Sequence, residues 1–216
     1  MSGPLKKGSK KGAGQKPLSR EALATDPIGI FTDWLEDARA RSDMEYPNAA
    51  CLSTLSPEGW PDGRIVLLKG VDGEGFVFYT NYRSAKGKAL GEHPRAAMTF
   101  YWHDLDRQVR IRGEVERVSA QESDDYFRIR PRGSQIGAWA SLQSEPVRSR
   151  DDLESRAAEI EERYSGEDIP RPPHWGGYRL RPTEIEFWQG APNRLHDRLL
   201  YRRGAHGSWE AQRLDP

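Results

Sequence analysis

A chain of 216 residues has the length of one domain, or two at most, and can bury roughly 70% of the surface its unfolded form exposes. Charged residues make up 31% of it, yet seven Trp, eight Tyr and six Phe exclude a disordered chain. The 33 cations balance 33 anions, so no global field selects nucleic acid or a membrane surface, although residues 1–20 hold five Lys, one Arg and no acid, leaving 27 cations against 33 anions in the rest.

Residues 1–20 are mostly Gly, Lys and Ser, with nothing to bury, and read as a disordered basic tail. Residues 21–216 read as a single domain. Asp26-Pro27 is a helix start, with a carboxylate cap before Pro at the first helical position. Ile28, Phe31, Trp34, Leu35 and Ala38 follow at helical spacing, to about Arg41. The period then changes. Residues 49–56, 64–69, 76–81, 95–102 and 107–118 are short β-type runs between turn clusters at 57–63, 70–75 and 103–106, with a short helix after Ser84. Five strands, mostly hairpin-linked, predict a closed antiparallel barrel.

Ser119 and Glu122 form a capping box for a helix ending near Ile129, before Pro131. A short helix is expected after Ser134. A longer one follows Ser149, with Leu153, Ala157, Ile160 and Tyr164 on one face and Gly166 as its stop. Residues 176–182, 184–190, 198–203 and 208–214 read as strands, the last two forming a hairpin across 204–207.

The lone Cys51 excludes an internal disulfide, a Cys-x-x-Cys pair and a thiolate zinc cluster, and fits a reducing, cytoplasmic setting. The five His show no short ligand spacing, so no metal is expected. No apolar run reaches about 18 residues, and no apolar stretch backs the Lys-rich start, so neither a membrane span nor a secretory signal is expected.

Four groups of residues offer chemistry. Arg64 and Lys69 bracket an apolar strand, either as solvated ends or as two cations aimed at an anion. Tyr79, Thr80, Ser84 and Lys86 gather where a strand ends and a helix begins, which suits a phosphate, although an ordinary Ser cap has the same pattern. Tyr126 and Arg130 share a helix face and, with Arg132 and Ser134, form either a second anion site or a basic turn. Arg194, His196 and Arg198 alternate, so an extended strand would point all three to one side, beside Trp188. That suits a planar anionic ligand or an exposed basic edge.

Taken in order, RIVLLK, VFYTN, SAKG, RQVRIRG, RPRGSQIGAWAS, WGGYRL, IEFWQG and RLHDR make residues 26–216 similar to the pyridoxine (pyridoxamine) 5′-phosphate oxidase family. The resemblance implies a mainly β fold with flanking helices, an FMN-binding split β-barrel, and a homodimer with sites at its interface. It implies conversion of pyridoxine or pyridoxamine 5′-phosphate to pyridoxal 5′-phosphate with dioxygen as acceptor and hydrogen peroxide as product. Arg64, Ile65, Val66, Leu67, Leu68, Lys69, Tyr79, Thr80, Lys86, Gln108, Gln143, Ser144, Trp188 and Arg198 would bind FMN. Lys69, Tyr126, Arg130 and Ser134 would hold the substrate phosphate, while Arg194, Leu195 and His196 would cover its ring, with Arg194 and His196 catalytic. Ala85 stands where family members often have Arg, and KKGAGQK offers none of the Arg and Tyr with which some relatives cover the substrate. The alternatives are a sibling flavin oxidase acting on dihydrophenazine-type intermediates, a non-catalytic flavin or pyridoxal-phosphate carrier, and a nucleic-acid binder using the tail.

Overall fold

The computed structural model describes Leu18 and residues 26–216. The tail assigned to residues 1–20 therefore lies outside the described residues, apart from Leu18, whose N–H donates to Asp197 at 3.3 Å and whose carbonyl accepts from Arg213 at 2.7 Å. The chain divides into two compact units, one of residues 1–49, 99–111 and 183–216, the other of residues 50–98 and 112–182.

In the first unit, α1 (Pro27–Arg41) starts at the expected proline, although the Asp26 carboxylate makes no capping bond. Its apolar face buries Phe31, Trp34, Leu35 and Ala38. Phe31 meets Phe100 edge-on at 5.0 Å, and Trp34 meets Phe187 at 5.3 Å. Burying each such ring contributes about 1.5–3 kcal/mol. The unit ends in β8 (Asp197–Arg203) and β9 (Trp209–Leu214), the hairpin expected across 204–207.

The remaining strands are β1 (Ala49–Leu55), β2 (Pro61–Leu67), β3 (Gly70–Asp72), β4 (Gly75–Asn81), β5 (Arg95–Trp102), β6 (Arg107–Arg117) and β7 (Trp175–Gln189). Their hydrogen-bonded order is β2-β1-β5-β6-β7-β4-β3, with β8 on β7 and β9 on β8. This path has two ends, β2 and β3, so the ladder does not close as the hairpin spacing alone had suggested.

Two other expectations are corrected. The cluster at 70–75, read as a turn, contains β3, paired Gly70 to Val77 and Asp72 to Gly75. The Asp72 carboxylate accepts from the N–H groups of Glu74 (2.8 Å) and Gly75 (3.1 Å), so its side chain builds a turn tight enough to leave three residues for a strand. The two runs at 176–182 and 184–190 are one 15-residue strand, β7, passing through Pro182. Pro182 gives the ladder no N–H, and on β6 only Gly113 leaves room for the Arg181 carbonyl, which a side chain there would overlap.

In the second unit, α2 (Ala85–Glu92), α3 (Ala120–Arg128), α4 (Arg132–Ala140) and α5 (Arg150–Arg163) each follow an expected start, though α4 begins two residues before Ser134, directly after Pro131. Ser84, Ser119 and Ser149 each accept an N–H from the first turn. The Glu122 carboxylate lies 3.4 Å from Arg179. Phe127, Ile136, Ile169 and Trp175 form a small core, with Tyr79 and Tyr126 packed against it.

Candidate functional site

The second unit contains a cavity of about 460 Å³. The end of β2 supplies Ile65, Val66 and Leu67, and Lys69 follows; β4 supplies Tyr79 and Thr80. Lys86 comes from α2, Tyr126 from α3, Arg130 from the link after it, Ser134 from α4, Gln143 from the following loop and Trp175 from the start of β7. Among the described residues, three of the lining side chains are cations and none is an acid.

The local sequence explains how these groups converge. Gly87 lets α2 sit directly on the end of β4, because a side chain there would overlap the Tyr82 carbonyl. That proximity turns Lys86 inward. Its Nζ lies 3.3 Å from Thr80 Oγ1 and 3.2 Å from Gln143 Oε1, both uncharged acceptors. Burial, reinforced by the charge of Arg64, holds the Lys86 amine below the usual lysine range. Ser144, at φ 74, accepts the Ala85 N–H at 3.1 Å, so the Gln143-Ser144 pair meets the N-terminus of α2.

Arg130 lies over Trp175 at 4.4 Å, and its Nη1 is buried without a hydrogen-bond partner. Burial lowers this guanidinium from its ordinary value, yet arginine stays charged at any working pH. Each unpaired donor on a buried charge costs free energy, and an anion in the cavity could complete this one. A second opening, lined by Lys69, Tyr126, Ile129, Arg130 and Ser134, reaches the same groups.

Tyr79 stacks on Tyr126 at 3.9 Å and on Trp175 at 5.5 Å. Burial, with the charge of Glu122 next, pushes its phenol up to about 12. An ultraviolet titration of the wild type against Tyr79→Phe should therefore show no tyrosinate attributable to Tyr79 below about pH 11, against about 10 for an unperturbed phenol; a difference signal near pH 10 would contradict this environment.

Several expected residues stand elsewhere. Arg64, next to the lining residue Ile65, donates to Thr54 Oγ1 at 2.6 Å, pairs with Asp62, and is close enough for its charge to act on Lys86. Leu68 points into the core at 4% exposure. Arg132 is a structural residue, bonded to Glu161 and to the Tyr164 and Glu167 carbonyls, which corrects its inclusion in a basic anion site.

Gln108, Trp188, Arg194, Leu195, His196 and Arg198 belong to the first unit. The alternation argument for 194, 196 and 198 fails in its premise. Residues 192–194 form a single 3-10 turn, Arg194 has φ 63, and β8 begins only at Asp197. Pro192 and the left-handed Asn193 stop any extended run there. Arg194 and Leu195 are exposed, and Gln108 is half-buried on β6. Arg198 donates to Glu186 at 2.9 Å, and His196 packs on Trp188 at 4.7 Å. Trp175 was missed as a lining residue; its signal was the Gly176-Gly177 pair after it, where side chains would strike Tyr82 and Tyr79.

No described helix is long and apolar enough to cross a membrane. A cavity carrying several cations and flanked by a mainly β sheet suits small anionic ligands. The sequence model described as pyridoxamine 5′-phosphate oxidase matches residues 37–188, and one described as the pyridoxine 5′-phosphate oxidase C-terminal dimerisation region matches residues 175–216. Pyridoxine/pyridoxamine 5′-phosphate oxidases of Thermosynechococcus vestitus and Microcystis aeruginosa are 57% and 55% identical, the first over 94% of both chains and the second over 92% of both. Among solved structures, PhzG from Burkholderia lata in complex with tetrahydrophenazine-1-carboxylic acid is similar, with a TM-score of 0.83 and 33% identity over 88% of this chain and 93% of that one. A pyridoxamine 5′-phosphate oxidase-related, FMN-binding protein from Nostoc punctiforme shares the fold, with a TM-score of 0.72 at 19% identity over 89% of this chain and 99% of that one. The chain belongs to the pyridoxamine 5′-phosphate oxidase family. It is an enzyme, an oxidase with the split-barrel fold of that family, and the non-catalytic carrier reading falls.

Proposed function

We propose that this enzyme binds FMN and oxidises pyridoxine 5′-phosphate or pyridoxamine 5′-phosphate to pyridoxal 5′-phosphate in the cytoplasm, as a homodimer. The observation that carries this is the cavity with Lys69, Lys86 and Arg130, no acid, and an unpaired buried Arg130 nitrogen. Both the proposed cofactor and the proposed substrate carry a phosphate, so a site of this kind suits them. Residues Arg64 through Lys69, with Tyr79, Thr80, Lys86, Gln143 and Ser144, would hold the cofactor, and Lys69, Tyr126, Arg130 and Ser134 the substrate phosphate. Arg194 and His196 would cover the substrate ring, with Trp188, Gln108 and Arg198 completing the cofactor site. The match to a dimerisation region supports two chains sharing these groups.

Bound FMN would supply the hydride acceptor, with dioxygen taking the electrons on as hydrogen peroxide; the alcohol substrate gives the aldehyde directly, and the amine gives it with water consumed and ammonia released. The protein's part is placement. Its cations bind the phosphate, and the aromatic stack of Tyr79, Tyr126 and Trp175 gives the pocket a rigid wall.

The test is to purify the protein, record a flavin spectrum, add pyridoxine 5′-phosphate in air, and follow pyridoxal phosphate and peroxide together. One peroxide per aldehyde is expected, with unphosphorylated pyridoxine a far poorer substrate. The likeness to PhzG favours a second reading, oxidation of a dihydrophenazine-type carboxylate. Turnover of that compound with none of the B6 phosphates would establish it instead.

We also propose that residues 21–216 fold as one domain, since β5, β6 and β7 each run from one unit into the other. Thermal unfolding followed by tryptophan fluorescence and by far-ultraviolet circular dichroism should coincide in one transition; two separated transitions would divide the chain.

A further inference from the structure

Residues 190–196 join β7 to β8, and the connection is held at both ends. Gly190 donates its N–H to the Asp106 carbonyl at 2.8 Å. A side chain at 190 would overlap the Asp106 carboxylate and force it to shift. Asn193 and Arg194, at φ 58 and 63, then turn the chain back, with the Leu195 N–H returned to the Pro192 carbonyl at 3.2 Å. This brings His196 onto Trp188 and sets its Nδ1 3.1 Å from the Ala191 nitrogen.

A backbone N–H can only donate. Nδ1 therefore offers its lone pair, and the uncharged ring carries its proton on Nε2. We propose that the Ala191 main-chain amide fixes His196 as an Nε2–H donor toward the substrate, with Gly190 and Asp106 as positioning residues that hold that amide. The opposite tautomer, with Nδ1–H given to an acceptor, would present Nε2 as a proton-abstracting base. The geometry assigns the donor role instead. The proposal deepens the reading of His196 as a substrate-facing group and rests on that reading for the donor's target, while the tautomer rests on the loop alone.

The full-length, flavin-loaded enzyme labelled with 15N-histidine tests it, at a pH where the 15N shifts themselves show the ring uncharged. The His196 signals are identified by their loss in His196→Gln. One protonated nitrogen assigned to Nε2 and one unprotonated nitrogen assigned to Nδ1 are expected. A proton on Nδ1, or an even mixture, would overturn the proposal. Gly190→Ala should shift the ring toward a mixture; an unchanged tautomer in that folded variant would remove Gly190 and Asp106 from the positioning role. In kinetics, Gln places an amide nitrogen near the Nε2 position, whereas Asn reaches only as far as Nδ1. His196→Asn should therefore lose roughly tenfold more kcat/KM than His196→Gln, the scale of one hydrogen bond to a reacting ligand. Equal losses beside the expected tautomer would overturn the donor role, and with it the substrate-facing reading.

Discussion

Arg130→Ala should raise the KM for the phosphorylated substrate roughly 10- to 150-fold, with kcat changed by less than about threefold. The range corresponds to the 1.5–3 kcal/mol of one charged hydrogen-bonding group. The Arg130 guanidinium is already desolvated and fixed against Trp175 at 4.4 Å, with Nη1 buried and unpaired, so little reorganisation opposes anion binding. A phosphate remote from the reacting carbon makes the same contact in ground state and transition state, which is why the loss falls on KM. Arg130→Lys should recover only part of it. An ammonium keeps the charge but loses the planar face that lies on the indole and the forked donors. Flavin content should remain normal in both variants. Steady-state kinetics with absorbance of the bound flavin decide it: normal KM with lost flavin would place Arg130 on the cofactor phosphate instead.

How much of this site the sequence displayed depends on how local each signal is. The starts of α1, α2, α3 and α5 are written in a Pro or a Ser and its next few neighbours, and each appears where expected. The same holds for the strand-to-helix junction at Ser84; Tyr126 and Arg130 both line the cavity, but α3 ends at Arg128, so they do not share a helix face as their spacing suggested. Long-range decisions were not legible. That the Arg64 guanidinium also reaches Thr54 depends on a hydroxyl ten residues back on the neighbouring strand, which no local pattern announces. Arg132 was drawn away by Glu161 and two carbonyls more than 28 residues downstream. The alternation of 194, 196 and 198 assumed an extended backbone. Asn193 and Arg194 both adopt left-handed geometry, a conformation that a pattern of charges does not announce. The unbroken course of β7 through Pro182 depends on Gly113, 69 residues away, leaving space for a carbonyl. Family resemblance supplied the open split-barrel fold and the oxidase class that local physics left open, because it carries the outcome of such long-range choices for a related chain.

Lys86→Met should weaken FMN binding by roughly 10- to 150-fold while changing riboflavin affinity by less than about threefold, and should stabilise the flavin-free protein. Both halves follow from one fact. Among the described residues, the buried Lys86 amine has Thr80 and Gln143 as its hydrogen-bond partners, and burial holds it below the usual range near 10.4. Between that lowered value and the ordinary one, the unfolded chain binds the proton more readily than the folded one. Stability of the flavin-free protein therefore rises with pH across that window, and at neutral pH the buried charge is at its full cost. Met keeps the length and apolar stem of the side chain and removes the charge, so thermal unfolding of the flavin-free variant should move to higher temperature. A phosphate reverses the balance, since the ammonium then gains a partner of opposite charge in a site of low dielectric. Riboflavin has no phosphate and gains nothing from the ammonium. Fluorescence titrations with the two flavins, beside melting curves of the flavin-free proteins, measure each half separately. A variant that melts lower and keeps the wild-type ratio of FMN to riboflavin affinity would show that Lys86 serves the fold, and that the cofactor's phosphate is held by other groups.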